Sequence, residues 1–414
     1  HSLMKILTLG WELPPHNSGG LGVACYQLCK ALSKKDIDIE FVLPYTAEHD
    51  VDFMRVTSAL PQNVTDVIKS GIAYDSYKYI YSDGSEEWMD IYTQQAVFEQ
   101  SVGRLVEKLE FDVIHAHDWL TFRAGIRARL ATGRPLVLHV HSIESDRSGR
   151  SGGGNPLVRE IEGMAFMMAD KIIAVSYLTK YAISREYGIP LSKIEVVHNS
   201  IDLEMVSELQ GDSVHRYLTK MKADGYKVVI NIGRLTIQKG LPNLLYAAKA
   251  VIDKVPKTLF LIVGAGEQYE ELIELAANLG ISRNVIFTGF QRGKNWQDSF
   301  AIGDLFVMPS VSEPFGLTPL EAVGYGTPSL ISKQSGVAEV FDNCLKVDFW
   351  DVREMANQIT AVVGNESLRD ELHANALREY GRLSWGSAAD KLVGLYRQHN
   401  DASGVSHRRE VALV

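Results

Sequence analysis

Cysteine, net positive charge and long apolar runs are all scarce in this chain, and each scarcity removes a class of protein. Three cysteines in 414 residues, Cys25, Cys29 and Cys344, cannot build a disulfide framework, so a reducing, cytoplasmic setting is expected. No stretch reaches the roughly 18–20 apolar residues that cross a bilayer. His1–Leu3, ahead of Met4, reads as an expression remnant, and no export signal is expected. A formal charge of −9 argues against nucleic acid as the main partner, because binding phosphate backbones needs a basic face. No glycine loop ends in the Lys-Ser/Thr of a phosphate loop, and the "GAG" at 264–266 lacks the third glycine of a dinucleotide fingerprint.

What is present is a long alternation. Short apolar runs such as "KILTLG", "DVIHAH", "PLVLHVH" and "KIIAVS" are separated by helical patterns such as "GVACYQLCKALSKK" and "NPLVREIEGMAFMMA". Runs that are continuously apolar suit parallel strands covered on both faces. The Tyr-rich "YDSYKYIYSDG" predicts a hairpin. The alternation restarts after about residue 225 with "YKVVINIGRL", "TLFLIVGAG", "NVIFTGF" and "DLFVMPS". Two doubly wound α/β domains follow, placed at 4–205 and 226–372, with C-terminal helices at 373–400 and a loose tail after them.

Ligands of such sheets sit beyond the carboxyl ends of the strands. In "SGGLG", Gly19, Gly20 and Gly22 precede a helix and bare their backbone N–H groups to an anion. In "GRLTIQKG", Arg234 and Lys239 flank a loop that opens another helix, a pattern suited to a diphosphate. Two His-x-His pairs, His115/His117 followed by Asp118, and His139/His141, end adjacent strands. They lack the third and fourth spaced ligands of a zinc site, and contact with a polar substrate is the expected role. Cys25 and Cys29 share a helix face with Leu28 and Leu32, which predicts burial without nearby metal partners. "SEPFGLTPLE" holds Glu313 and Glu321 eight positions apart. Thr318, Pro319 and Glu321 fit a capping box, which would account for Glu321 without any ligand and leaves Glu313 unexplained.

Taken in order and spacing, "SGGLG", "DVIHAHDW", "LHVHS", "GRLTIQKG" and "SEPFGLTPLEA" resemble the retaining glycosyltransferases of the GT-B fold, family 4, with glycogen and starch synthases nearest in character. The resemblance runs from Met4 to about His399 and implies two Rossmann-like domains facing a central cleft. It implies a nucleoside diphosphate sugar as donor, an α-glucan as acceptor, and no metal or other cofactor. Glu313 would lie against the transferred sugar and Glu321 would bind the ribose hydroxyls. Backbone N–H groups of Phe315, Gly316, Leu317 and Thr318 would hold sugar and phosphate oxygens.

Arg234 and Lys239 would take the diphosphate, with Gly20 closing over it from the other domain. His141 would touch the transferred sugar, Asp118 would sit toward the acceptor, and Phe290 would fall beside the nucleobase. Asn17 and Ser18 stand where glycogen synthases commonly carry a lysine, so the acceptor is where the resemblance thins. Alternatives are a family 4 enzyme acting on a lipid-linked or envelope glycan, with peripheral membrane contact not favoured by the acidic charge, and a sugar-nucleotide epimerase of the same fold.

Overall fold

The computed structural model describes residues 3–17, 20–69, 76–150, 152–202 and 215–411, the stretch 403–411 by its backbone alone. The chain divides into two compact units. The first comprises His1–Glu144, Gly154–Asn199 and Trp385–Val414; the second comprises Ser145–Gly153 and Ser200–Ser384.

In the first unit the strands are β1 (Met4–Leu9), β2 (Ile37–Leu43), β3 (Arg55–Ser58), β4 (Val64–Lys69), β5 (Ser76–Tyr81), β6 (Glu86–Asp90), β7 (Val113–His117), β8 (Leu136–Val140), β9 (Lys171–Ala174) and β10 (Ile194–Val196). Among the described residues, seven of them form one parallel sheet in the order β10-β9-β8-β7-β1-β2-β3. β7 and β8 are buried at every residue, so each side chain meets a helix and continuous apolar runs are what the geometry requires. β4, β5 and β6 make a separate antiparallel sheet. The hairpin expected from the tyrosine-rich stretch is the β5–β6 turn, where Gly84 adopts φ +85°; residues 70–75 lie outside the described residues.

In the second unit β11 (Lys227–Ile232), β12 (Thr258–Val263), β13 (Val285–Gly289), β14 (Leu305–Met308), β15 (Ser329–Ser332) and β16 (Leu345–Val347) form a parallel sheet ordered β13-β12-β11-β14-β15-β16. Its core packs Phe260, Ile262, Val229 and Val307 of the sheet against Leu244, Leu245 and Val251 of the helix Leu241–Lys254 and Ile359 of the helix Val352–Val363.

Both sheets run outward from a first strand in two directions. The strand order reverses between β1 and β7 in one unit and between β11 and β14 in the other. Adjacent crossovers leave opposite faces there, and the loops after those strands part to form a crevice. The segments after β1, β7, β11 and β14 border these crevices.

The last helix, Gly386–Val411, is buried along Leu392, Val393, Leu395 and Tyr396 and packs on the helix Gly20–Ser33. It continues well past His399, where a loose tail was expected; no proline interrupts "DASGVSHRREV". Among the described residues no helix is long and apolar enough to cross a membrane.

Candidate functional site

In the second unit, β11 runs into a loop bearing exposed Arg234, then a single 3-10 turn, Ile237–Lys239, and the helix from Leu241. Gly240 joins turn and helix at φ +65°, and a Cβ there would lie 2.1 Å from the Pro309 carbonyl oxygen. Only glycine lets this loop close on the end of β14. A Cβ on Gly264, at φ +145°, would lie 1.8 Å from the Gly233 carbonyl oxygen, so the "GAG" turn exists to seat the β12 loop on the β11 loop.

This closeness brings Lys239 to Glu313. The Lys239 ammonium sits 2.8 Å from Glu313 Oε2, and the fully buried Ser310 hydroxyl donates to the same oxygen at 3.1 Å. Glu313 is 8% exposed. Its backbone is clamped as well: its N–H donates to the Gln334 carbonyl at 3.0 Å, and its carbonyl accepts from Gly336 N–H at 2.9 Å. The carboxylate is therefore fixed at both ends, beside a cation that is one-quarter exposed.

Gly316 follows at φ +94°, and a Cβ there would come within 3.0 Å of Glu313 Cγ. Phe315 is buried and turns the chain, while Gly316, Leu317 and Thr318 are half-buried. Among the described residues, the N–H groups of Gly316, Leu317 and Thr318 find no backbone acceptor. Three consecutive N–H groups at the head of a helix are thus left able to donate to an oxygen atom.

The helix that follows is Thr318–Gly324, and the expected capping box does not form. Leu317, at φ −80° and ψ −27°, is the N-cap, and no side chain caps the helix. Gly316 has already turned the chain, so the helix starts one residue early and Glu321 moves beyond reach of a cap. Glu321 Oε2 is buried with no hydrogen-bond partner, and burial raises its carboxyl to about 7. The bland account of this glutamate is thereby lost. Phe290 lies just beyond β13 with its ring 5.0 Å from the Arg292 guanidinium.

In the first unit, Gly20 and Gly22 lie in the first turn of the helix Gly20–Ser33 rather than before it, and Gly20 is exposed; Ser18 and Gly19 are outside the described residues. The four histidines form two hydrogen-bonded pairs, His115 Nε2 with His139 Nδ1 and His117 Nδ1 with His141 Nε2, each at 2.9 Å. Tyr396 hydrogen-bonds His115 Nδ1 from the last helix. Burial lowers all four histidines, His115 and His141 to about 3, so they stand neutral at ordinary pH.

Asp118 adopts φ 60° and ψ 170°, a region that non-glycine residues occupy at a cost of about 1–3 kcal/mol. Its carboxylate holds it there by accepting the backbone N–H of His141 at 2.7 Å and of Ser142 at 3.4 Å. Asp118 thus fixes the turn that presents His141.

The expectation that Cys25 has no ligating neighbours is corrected. Its thiol and donor atoms of His117 and His141 lie within 4.8 Å of one another, as do those of His115, His117 and His139. These are the groups that could hold a metal, although the pairwise imidazole hydrogen bonds already occupy several of the same nitrogens.

Two residues escaped the reading of the sequence. Glu12, 2% exposed just after β1, is bound by Lys69 at 3.1 Å; its place in "GWELPP" directly after the first strand was the available signal. Ser310 was legible only as the small residue three before Glu313. Gly20, Asp118 and His141 belong to the first unit, as do Cys25 and the other three histidines, while Arg234, Lys239, Phe290, Glu313, residues 315–318 and Glu321 belong to the second.

Residues 18–205 match the family model described as Glycosyltransferase Family 4, and residues 219–379 match that described as Glycosyl transferases group 1. An uncharacterized glycosyltransferase of Methanocaldococcus jannaschii is 28% identical over 95% of this chain and 98% of its own length. D-inositol 3-phosphate glycosyltransferase of Rhodococcus erythropolis is 28% identical over 94% and 90%. Glycogen synthase of Mycobacterium tuberculosis is 26% identical over 82% and 80%. Among solved structures, sucrose-phosphate synthase from Thermosynechococcus elongatus superposes with a TM-score of 0.73 at 19% identity, covering 96% of this chain and 100% of that one. Anabaena HepE, solved with UDP and glucose, gives 0.70 at 20% identity over 95% and 100%.

Proposed function

We propose, from the successive matches to the Glycosyltransferase Family 4 and Glycosyl transferases group 1 models and from the GT-B fold, that the chain is a glycosyltransferase that moves a glucosyl group from a nucleoside diphosphate sugar to an α-glucan, with retention and without a metal ion. The observation that carries this reading is the placing of Lys239 against Glu313, with the unpartnered carboxylate of Glu321 on the helix that follows. A cation for the leaving diphosphate and a carboxylate for the sugar then share one small site. A second carboxylate, free of protein partners, suits vicinal ribose hydroxyls.

In this reading Lys239 and Arg234 bind the diphosphate, and the N–H groups of Phe315, Gly316, Leu317 and Thr318 take phosphate and sugar oxygens. Phe290 borders the base, and Gly20 approaches the phosphates at its helix start. His141, neutral and held by Asp118 and His117, contacts a sugar hydroxyl. As the C1–O bond to the diphosphate breaks, negative charge grows on the leaving oxygen, where Lys239 and Arg234 stabilise it. The acceptor oxygen bonds to C1 on the same face, and its proton passes to the departing phosphate oxygen. Glu313 faces the positive charge that develops on the sugar ring.

The acceptor assignment leans on the glycogen synthase among the relatives. UDP-glucose is the first donor to try, given the ligands of HepE. A panel of UDP- and ADP-glucose, with the mannose and N-acetylglucosamine counterparts, tests it in EDTA with and without glycogen, following diphosphate release. Release that requires glucan and ignores EDTA is expected. Donor isomerisation without diphosphate release would replace transfer by epimerisation, and release dependent on added metal would remove the metal-free mechanism.

A further inference from the structure

The first unit carries an aromatic face that the proposed donor chemistry does not use. Tyr92, at the start of the helix Ile91–Leu105, is 41% exposed, and Trp88, on β6 just before it, is 57% exposed. Exposed aromatics are ordinary when scattered, but Tyr92 is held in place. Its ring lies 5.9 Å from that of Trp119, the residue after Asp118, and its hydroxyl accepts from Asn155 Nδ2 at 3.2 Å. Asn155 is in turn fixed: its Oδ1 caps the helix Pro156–Met168 through Leu157 N–H at 2.9 Å, and its N–H donates to Glu144 at 3.3 Å. Trp119 and Asn155 belong to the segments after β7 and β8, so Tyr92 stands at the carboxyl ends of these strands, where His141 also lies.

We infer that Tyr92 is the platform on which a neutral pyranose residue of the acceptor stacks, with Asn155 and Glu144 at its edge for hydroxyl groups. The inference rests on the transfer reading above for the identity of its ligand as an acceptor. The apolar C–H face of a pyranose covers an aromatic ring well, and a ring already immobilised loses little entropy in doing so. On its Trp88 side the charge is acidic and selects against a phosphorylated acceptor. Glu86, Glu87 and Asp90 flank Trp88 and lead into Tyr92, and Glu144 lies behind Asn155. Of the nearby cations, Lys78 is paired with Glu86 at 2.9 Å, while Arg147 and Arg150 lie on the segment that joins Glu144 to Asn155. On the neighbouring helices, Arg123 is bound by Glu99 at 2.8 Å and Arg159 by Glu186 at 3.1 Å. A phosphate placed on the Trp88 side of this face would meet like charge.

The test is calorimetric binding of maltoheptaose and of myo-inositol 3-phosphate to the full chain, wild type, Tyr92→Ala and Tyr92→Phe, with thermal melts as the folding check. Maltoheptaose is expected to bind the wild type, to bind Tyr92→Ala roughly tenfold more weakly, and to bind Tyr92→Phe within about threefold of wild type. Equal binding to folded Tyr92→Ala, no binding to the wild type, or preference for the inositol phosphate would each overturn the inference. Tyr92-dependent glucan binding in a chain that turns over no donor would instead sink the transfer reading and leave the subsite standing.

Discussion

Glu313→Gln is expected to lower turnover by about 10²- to 10³-fold, the scale on which a preorganised electrostatic group acts in an active site. The substitution keeps the shape of the side chain and its contact with Ser310 but removes the charge that the proposed mechanism sets against the sugar. Donor KM should stay within about threefold and the melting temperature within a few degrees, because an interaction made in the transition state is lost rather than ground-state binding. Lys239→Ala should slow turnover comparably, yet it is a less clean variant. It strands a carboxylate that is 8% exposed, a loss of about 1–3 kcal/mol. Steady-state kinetics beside melting curves separate the two effects, and a kcat within threefold of wild type for Glu313→Gln would remove this residue from the chemistry.

Glu321→Gln should stabilise the protein and weaken donor binding together. Burial raises the Glu321 carboxyl to about 7, above the usual carboxylate value, so the folded state holds this proton more tightly than the unfolded state. Between the ordinary carboxylate range and pH 7, stability from this group falls as pH rises, and above pH 7 the folded state carries an unfavourable buried charge. Below about pH 4 both states are protonated and the effect disappears. Glutamine removes the charge at every pH. It should therefore raise the melting temperature at pH 8, by the equivalent of about 1–3 kcal/mol, and leave little difference at pH 4. Affinity for the nucleoside diphosphate should fall about tenfold with loss of the carboxylate proposed to accept from the ribose. Melting curves at both pH values with calorimetric UDP binding check this; a variant less stable at pH 8, or one that binds UDP normally, would return Glu321 to a structural role.

The strands were legible because parallel strands covered on both faces must be apolar throughout, as in "VIHAH" of β7 and "TLFLIV" of β12. The same rule hid β3 and β16. "RVTS" has no buried residue and "LKV" has one, and strands held mainly by backbone pairing leave little trace in composition. Around Glu313 and Glu321, sequence spacing misjudged the helix start. A left-handed residue at Gly316 shifts the N-cap to Leu317, which no capping preference anticipates. Cys25 and His117 are ninety-two positions apart, and their meeting follows from the helix after β1 packing near the end of β7. Sequence patterns describe faces and ends of elements; which ends meet is decided by strand order.

The most direct test of the central claim is proton NMR of a reaction containing UDP-α-glucose labelled with carbon-13 at C1, a maltooligosaccharide and EDTA. The account predicts that label leaves the donor with release of UDP and appears as a new α-anomeric signal in a lengthened oligosaccharide. Label appearing in a β-linked product, or in an isomerised sugar nucleotide with no UDP released, would contradict it.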